Sequence, residues 1–219
     1  MQQILFVITN FRHGGTNKSL ENLLTLLDTK KYEIDVFAME HYGPYITMLP
    51  NCTILRKDIW LHGLIAQYND TSGYTKLLSL ILKILRKLTS LFNYNFTDYF
   101  YKKRANRIVK NKTYDTVIAF SEGVPTAFVK HFYHQNKLAW IHCDYASYND
   151  YPDERAIYES YKFIVCVSEY TKVSFCKVIP SACAKVHAIH NIVNVKAVHD
   201  ASKENQNETY SKNGTFNIL

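Results

Sequence analysis

Glycine and proline are scarce in this chain, 7 and 5 among 219 residues. That scarcity excludes a collagen-like, low-complexity or disordered chain. The five cysteines (Cys52, Cys143, Cys166, Cys176, Cys183) form no C-x-x-C pair and are odd in number, and Cys166 lies inside an apolar run. Core thiols in a reducing cytosol are therefore the expected state. The N-terminus lacks the basic n-region and small-residue cleavage site of a signal peptide, so Ile4–Ile8 reads as a first strand and a cytoplasmic location is expected. With no export signal, the N-x-[ST] triplets headed by Asn17, Asn51, Asn69, Asn95, Asn111, Asn207 and Asn213 read as asparagine-rich composition rather than glycosylation sites. Neither a Ser-His-Asp signature nor G-x-S-x-G occurs. His131 and His134 sit three apart with no cysteine or carboxylate at metal spacing, so they read as surface histidines and no metal is expected.

What is present is alternation. Apolar runs with strand character fall at 4–9, 34–39, 52–55, 115–120, 137–141, 162–167 and 185–189, and helical patterns at 17–28, 73–92, 97–111, 122–132, 153–160 and 170–178. Alternating β and α with short loops predicts an α/β fold, a Rossmann-like parallel sheet covered by helices on both faces. A chain of this length buries a sizeable core in one domain, expected over residues 1–200. Residues 201–214 are polar and read as a linker, and Phe216–Leu219 reads as a strand just begun, the start of a second domain.

The first strand runs into Thr9-Asn10-Phe11-Arg12-His13-Gly14-Gly15-Thr16-Asn17-Lys18, after which Leu20, Leu23, Leu24 and Leu27 recur at helical spacing. Gly14 and Gly15 thus mark a strand-to-helix junction, with Thr16 or Asn17 able to cap the helix. Two readings stand there: a tight turn needing positive φ, or a gap through which an anionic ligand approaches the main chain and the helix's free amides. Ligands of such sheets bind beyond the carboxyl ends of the strands, where Gly14, Gly15, His142 and Ser168 all fall. Each has a plainer alternative: His142 as a hydrogen-bonded packing residue, Ser168 as a helix cap, and Glu122 as a carboxylate complementing a helix dipole.

The loop Gly14-Gly15-Thr16-Asn17-Lys18 resembles the glycine loop of family 4 retaining glycosyltransferases of the two-domain GT-B type, two glycines, two variable residues and a basic one; Asn17 stands where that family often has glutamate. Three later stretches follow the family's order. Leu138–His142 resembles its central strand ending in histidine, Val165–Glu169 its strand ending in serine, and Val186–Asn194 its Ile-x-Asn segment before the interdomain crossover, with Ile192 where glycine or proline is common. The resemblance implies the N-terminal, acceptor-side domain of an enzyme that moves a sugar from a nucleotide-sugar donor to a glycan or lipid-linked acceptor, with no cofactor or required metal. It implies Gly14 and Gly15 facing the donor diphosphate and acceptor, Lys18 supplying positive charge, and His142 holding a hydroxyl of the donor sugar. Ser168 and Asn191, in two of these stretches, are further donor- or acceptor-binding candidates, as is Glu122 at the helix start after the 115–120 strand, and the resemblance leaves the nucleotide base and ribose to the second domain.

Charge is uneven. Residues 76–112 hold ten Lys or Arg against one acid, Asp98, a local +9 in a chain of +7. Over 76–92, Lys76, Ser79, Lys83, Arg86, Lys87 and Ser90 share an arc of roughly 100°, and the rest of the helix is apolar. It carries too much charge to span a bilayer. A sheet-covering helix with a solvated basic stripe and a helix on an anionic membrane surface are both compatible with the pattern, the second making the protein peripheral on the inner face of a membrane. Nucleic acid is not an expected partner, since Tyr94, Phe96, Tyr99, Phe100 and Tyr101 recur at no base-stacking spacing. Two alternatives to sugar transfer are a non-catalytic membrane-docking module and a dinucleotide-binding oxidoreductase domain. The latter has Glu40 just past the second strand but lacks the third glycine of G-x-G-x-x-G.

Overall fold

The computed structural model describes residues 1–66, 71, 73–92, 95–133, 136–147 and 154–204. Its elements run β1 (Gln2–Asn10), α1 (Gly15–Leu26), β2 (Tyr32–Glu40), α2 (Tyr45–Met48), β3 (Thr53–Ile54), α3 (Ile59–Ile65), α4 (Tyr74–Ser90), α5 (Phe96–Asn111), β4 (Thr116–Ala119), α6 (Val124–Val129), β5 (Asn136–Ile141), α7 (Glu154–Glu159), β6 (Phe163–Cys166), α8 (Glu169–Val178), β7 (Val186–Ala188) and α9 (Val195–Glu204), with 3-10 turns at Tyr145–Ser147 and Pro180–Lys185. All seven strands are parallel, in the order β3-β2-β1-β4-β5-β6-β7.

The inner strands carry apolar runs, Leu5–Ile8 in β1, Val117–Ala119 in β4 and Ile164–Cys166 in β6, because both faces of the sheet are buried there; β2 is interrupted by Asp35, buried and accepting from Lys112 Nζ and the Tyr114 hydroxyl. Phe6, Ile8, Val36, Ala38, Ile118 and Phe120 face α1 and α2, packing on Leu20, Leu24 and Tyr45. Their odd-phase neighbours Leu5, Val7, Phe37, Met39, Val117, Ala119, Ile164 and Cys166 face α3 to α8. Chain order reverses at the β1–β4 pair, and α1 and α6 leave that pair on opposite faces. This opens a crevice beyond the carboxyl ends of β1 and β4, the position at which open α/β sheets take ligands.

Three helices were not legible in the sequence. α2 and α3 are short, and α9 occupies 195–204, so the first four residues assigned to the linker are its last turn. Residues 205–214, the rest of that linker, and Phe216–Leu219 lie outside the described residues, as do Asn69, Tyr94 and His134. His131 is corrected from surface to core: it is 3% exposed, with Nε2 3.1 Å from Asp98 Oδ1. The expectation of five thiols is corrected too. The chain reverses after α8 into the turn at Pro180–Lys185, bringing Cα atoms of Cys176 and Cys183 to 5.1 Å, and the two form a disulfide. Cys52, Cys143 and Cys166 remain thiols.

α4 is rotated relative to the expected solvated basic stripe. The first half of its polar side faces the protein, Thr75 and Ser79 being buried and Lys83 Nζ donating to the Ala66 carbonyl at 3.0 Å at the end of α3, while Arg86, Lys87 and Ser90 further along are exposed. Gly63 on α3 makes room for this approach, since a Cβ there would sit 3.3 Å from Leu82 Cδ1. Leu77, Leu80, Ile81, Ile84, Leu85 and Leu88 consequently face outward.

Candidate functional site

The crevice is built from the turns after β1 and β4. At its floor the Thr9 and Ser121 hydroxyls lie 3.2 Å apart, linking the two strand ends. A cavity of about 210 Å³ above them is lined by Asn10, Arg12, His13, Gly14, Thr16 and Asn17. The turn between β1 and α1 is held by Asn17, whose side-chain amide donates to the carbonyls of Asn10 (2.9 Å) and Arg12 (2.7 Å). So Asn17 braces the loop rather than capping α1. Gly14 is the N-cap, and no side chain accepts from the first-turn amides there.

The glycine pair has an unexpected character. Neither glycine has the positive φ of a left-handed turn; Gly14 is extended at φ 167°, and among the described residues the positive-φ glycines are Gly43, Gly73 and Gly123. A Cβ at Gly14 or Gly15 would meet nothing within 4 Å. The tight-turn reading thus loses its basis, because nothing in the chain's own conformation or packing calls for glycine at either position.

His142 follows β5, its ring 4.9 Å from Phe120 and stacked at 18° on Trp140, 6.5 Å away. Glu122, in the turn between β4 and α6, accepts the His142 backbone N–H at 2.9 Å. Glu122 therefore ties the end of β4 to the end of β5 and fixes where the histidine sits. The same carboxylate takes the Cys143 thiol, and burial together with Glu122 pushes that thiol up to about 12, so it stays protonated. Burial lowers His142 to about 4, so at neutral pH its ring is an uncharged donor–acceptor rather than a cation.

This shift gives a direct test. Above about pH 6.5 the ring is neutral folded or unfolded and stability is full; as pH falls from about 6.5 toward 4, the unfolded chain binds a proton that the folded chain refuses, and stability drops by an amount on the order of 3 kcal/mol. Burial also lowers His41 and His131, so they contribute to the same slope. Replacing His142→Phe should flatten the urea-unfolding free energy across that window relative to wild type. Equal slopes for both proteins would mean that His142 titrates normally.

The other predicted residues are placed as follows. Asn191 is brought to the loop's own helix: Ser19 Oγ donates to Asn191 Oδ1 at 2.7 Å, and Asn22 Nδ2 donates to the Ile192 carbonyl at 2.9 Å. The segment after β7 is thereby tied to α1. Lys18 projects from α1 and pairs with Glu21 at 2.9 Å, one turn along the helix. Ser168 is the N-cap of α8, accepting the Thr171 N–H at 3.0 Å. One residue not singled out from the sequence lines the crevice, Arg12. Arg12 lies over the Tyr42 ring at 5.5 Å, 3.8 Å from the Glu40 carboxylate. Glu40 is 8% exposed, which does not suit a ribose-binding acid. Among the described residues no group of three or more His, Cys, Asp or Glu could hold a metal ion.

Nearby, a cleft of about 600 Å³ lies between α4, α5, α6 and α7, lined among others by Lys83, Arg86, Asp98, Tyr101, Val124, Lys130 and Ile157. Val124 opens α6 directly after the Glu122-Gly123 turn, so cleft and crevice share that turn.

Among solved structures the chain is similar to the lipopolysaccharide outer core galactosyltransferase WaaB in its apo form, with TM-score 0.54 and 12% identity over 88% of this chain and 46% of that one. It is the Rossmann-like half of a GT-B fold. A second similar structure is HepE of Anabaena in complex with UDP and glucose, with TM-score 0.51 and 12% identity over 94% of this chain and 50% of that one. The chain therefore spans about half the length of the structures it matches. No protein-family model matches the sequence, and neither does any curated protein.

Proposed function

We propose that this chain is the acceptor-side domain of a retaining, family 4 glycosyltransferase that moves a sugar from a nucleotide-sugar donor to a glycan or lipid-linked acceptor hydroxyl in the cytoplasm. The observation that carries this reading is the empty glycine loop at the sheet's switch point. The free amides opening α1 would face a diphosphate, and the space left by two missing side chains would let it approach the main chain. Neutral His142, beyond β5 and fixed through Glu122, would hold a hydroxyl of the donor sugar. Lys18 adds positive charge one turn along α1, and Asn191 would hold the crossover segment beside the donor. Ser168 serves chiefly to cap α8. The larger cleft beside α6 would receive the acceptor. No metal step is needed in this scheme, because helix-end amides and cations would carry the diphosphate charge.

UDP-sugars are the first donors to try, since UDP and glucose occupy HepE and WaaB is a galactosyltransferase. The test is release of nucleoside diphosphate by the whole protein across a panel of nucleotide sugars and acceptors, with the product's anomeric configuration read by NMR. Transfer with an inverted anomer would overturn the retaining mechanism. No turnover with any donor, from a folded protein, would count against the enzyme reading itself.

A further inference from the structure

From the outward rotation of α4 we infer that this helix lies in the surface of an anionic bilayer, with its apolar arc, not its basic arc, turned to the lipid. Leu77, Leu80, Ile81, Ile84, Leu85 and Leu88 are each between 40% and 62% exposed, and Leu91 and Phe92 just beyond are 74% and 83% exposed. On a helical projection these side chains share an arc of roughly 140°. The opposite arc cannot be the lipid-facing one, because Thr75, Ser79 and Leu82 are buried there and Lys83 is tied to Ala66. At 17 residues the helix is about 25 Å long, which is short for spanning and suited to lying flat.

Charge selects a lipid surface over other covers for this face. α4 contains no acidic residue, and Asp98, the only acid from 76 to 112, is held by Lys130 at 2.6 Å on α5. Lys87 at the edge of the arc, and Lys102, Lys103 and Lys110 on the neighbouring α5, are exposed. An apolar ridge beside cations matches acyl chains beneath anionic headgroups. A second copy of the chain would instead bring two such basic segments together.

The test needs no sugar donor, so its outcome is separate from that of the transfer reading. The chain is floated with phosphatidylcholine vesicles with and without phosphatidylglycerol, over a series of salt concentrations. Wild type should bind the anionic vesicles and loosen as salt rises, since headgroup attraction is screened beyond about 8 Å at physiological ionic strength. The combined variant Leu80→Gln, Ile84→Gln, Leu88→Gln alters only exposed side chains and should keep its circular dichroism while losing about tenfold or more in partitioning. Lys87→Glu with Lys103→Glu should remove the salt-sensitive part. In an Ile84→Trp variant the new indole should be quenched by brominated lipid, whereas at Leu26→Trp on α1, across the sheet, it should not. Unchanged flotation of the triple glutamine variant, or a wild-type protein that stays off vesicles and forms a dimer which that variant dissociates, would overturn the inference.

Discussion

Replacing Gly15→Val in the whole protein should lower kcat/KM for sugar transfer by about 100-fold or more while leaving the urea-unfolding free energy within about 0.5 kcal/mol of wild type. The separation of the two effects follows from the empty space around the loop. A Cβ at Gly15 meets no atom of the described structure within 4 Å, and the position is the first residue of α1, where a valine backbone is at ease. Folding therefore has no stake in the glycine. A diphosphate seated against the α1 amides would have one: two methyl groups in its path would displace it by about an ångström, which costs on the order of 100-fold, or about 2.7 kcal/mol of transition-state stabilisation. Unchanged turnover in Gly15→Val would mean that the ligand lies elsewhere, and lost turnover with equal lost stability would return the loop to a structural role.

The sheet was legible because its signal is redundant. The inner strands carry apolar runs, Leu5–Ile8, Val117–Ala119 and Ile164–Cys166, and parallel strands buried on both faces leave little polar phase to confuse the period. The short helices were not, for opposite reasons. α2 is four residues following Pro44, too short for any periodicity, and α9 is exposed from Val195 to Lys203, so no core stripe marks it. The face of α4 was open to misreading because a helical wheel shows which residues share an arc but not which arc the neighbours accept. That choice came from Gly63 on α3, a helix the periodicity did not show, and from the carbonyl of Ala66 at its C-cap. The disulfide was hidden in the same way, since it depends on the reversal after α8 rather than on any cysteine spacing.

For the site, the sequence picked out positions better than partners. Gly14, Gly15, Glu122 and His142 all fall at the carboxyl ends of β1, β4 and β5, as strand ends alone require. That Glu122 grips the His142 amide and that Asn17 pins the loop through two carbonyls have no signature in the residue pattern, whereas the Lys18–Glu21 pair is an i,i+3 contact within α1. Ser168 is the instructive case. Its strand-end position suits a ligand, yet its hydroxyl accepts the Thr171 amide and lies 3.0 Å from the Thr171 hydroxyl.

A glycine that the fold does need is Gly43, and Gly43→Ala should destabilise the protein by roughly 3–5 kcal/mol. Gly43 sits at φ 125°, a conformation that side chains rarely adopt, and a Cβ there would fall on the backbone carbonyl of Phe11. Nothing flexible is available to yield. Phe11 is fixed on both sides, its N–H donating to the Tyr42 carbonyl at 2.9 Å and its carbonyl accepting from Tyr45 N–H at 3.0 Å. These bonds brace the β1–α1 loop against the turn after β2, so the alanine methyl would push on the same backbone that presents Gly14 and Gly15. Urea unfolding should show the midpoint falling with an unchanged m-value, because the unfolded chain is barely altered. Any transfer activity that survives at low temperature should fall as well, since the loop would be displaced from the outside. A stable Gly43→Ala protein would mean that the turn after β2 can move away from Phe11, and that the glycine loop lacks the rigid backing described here.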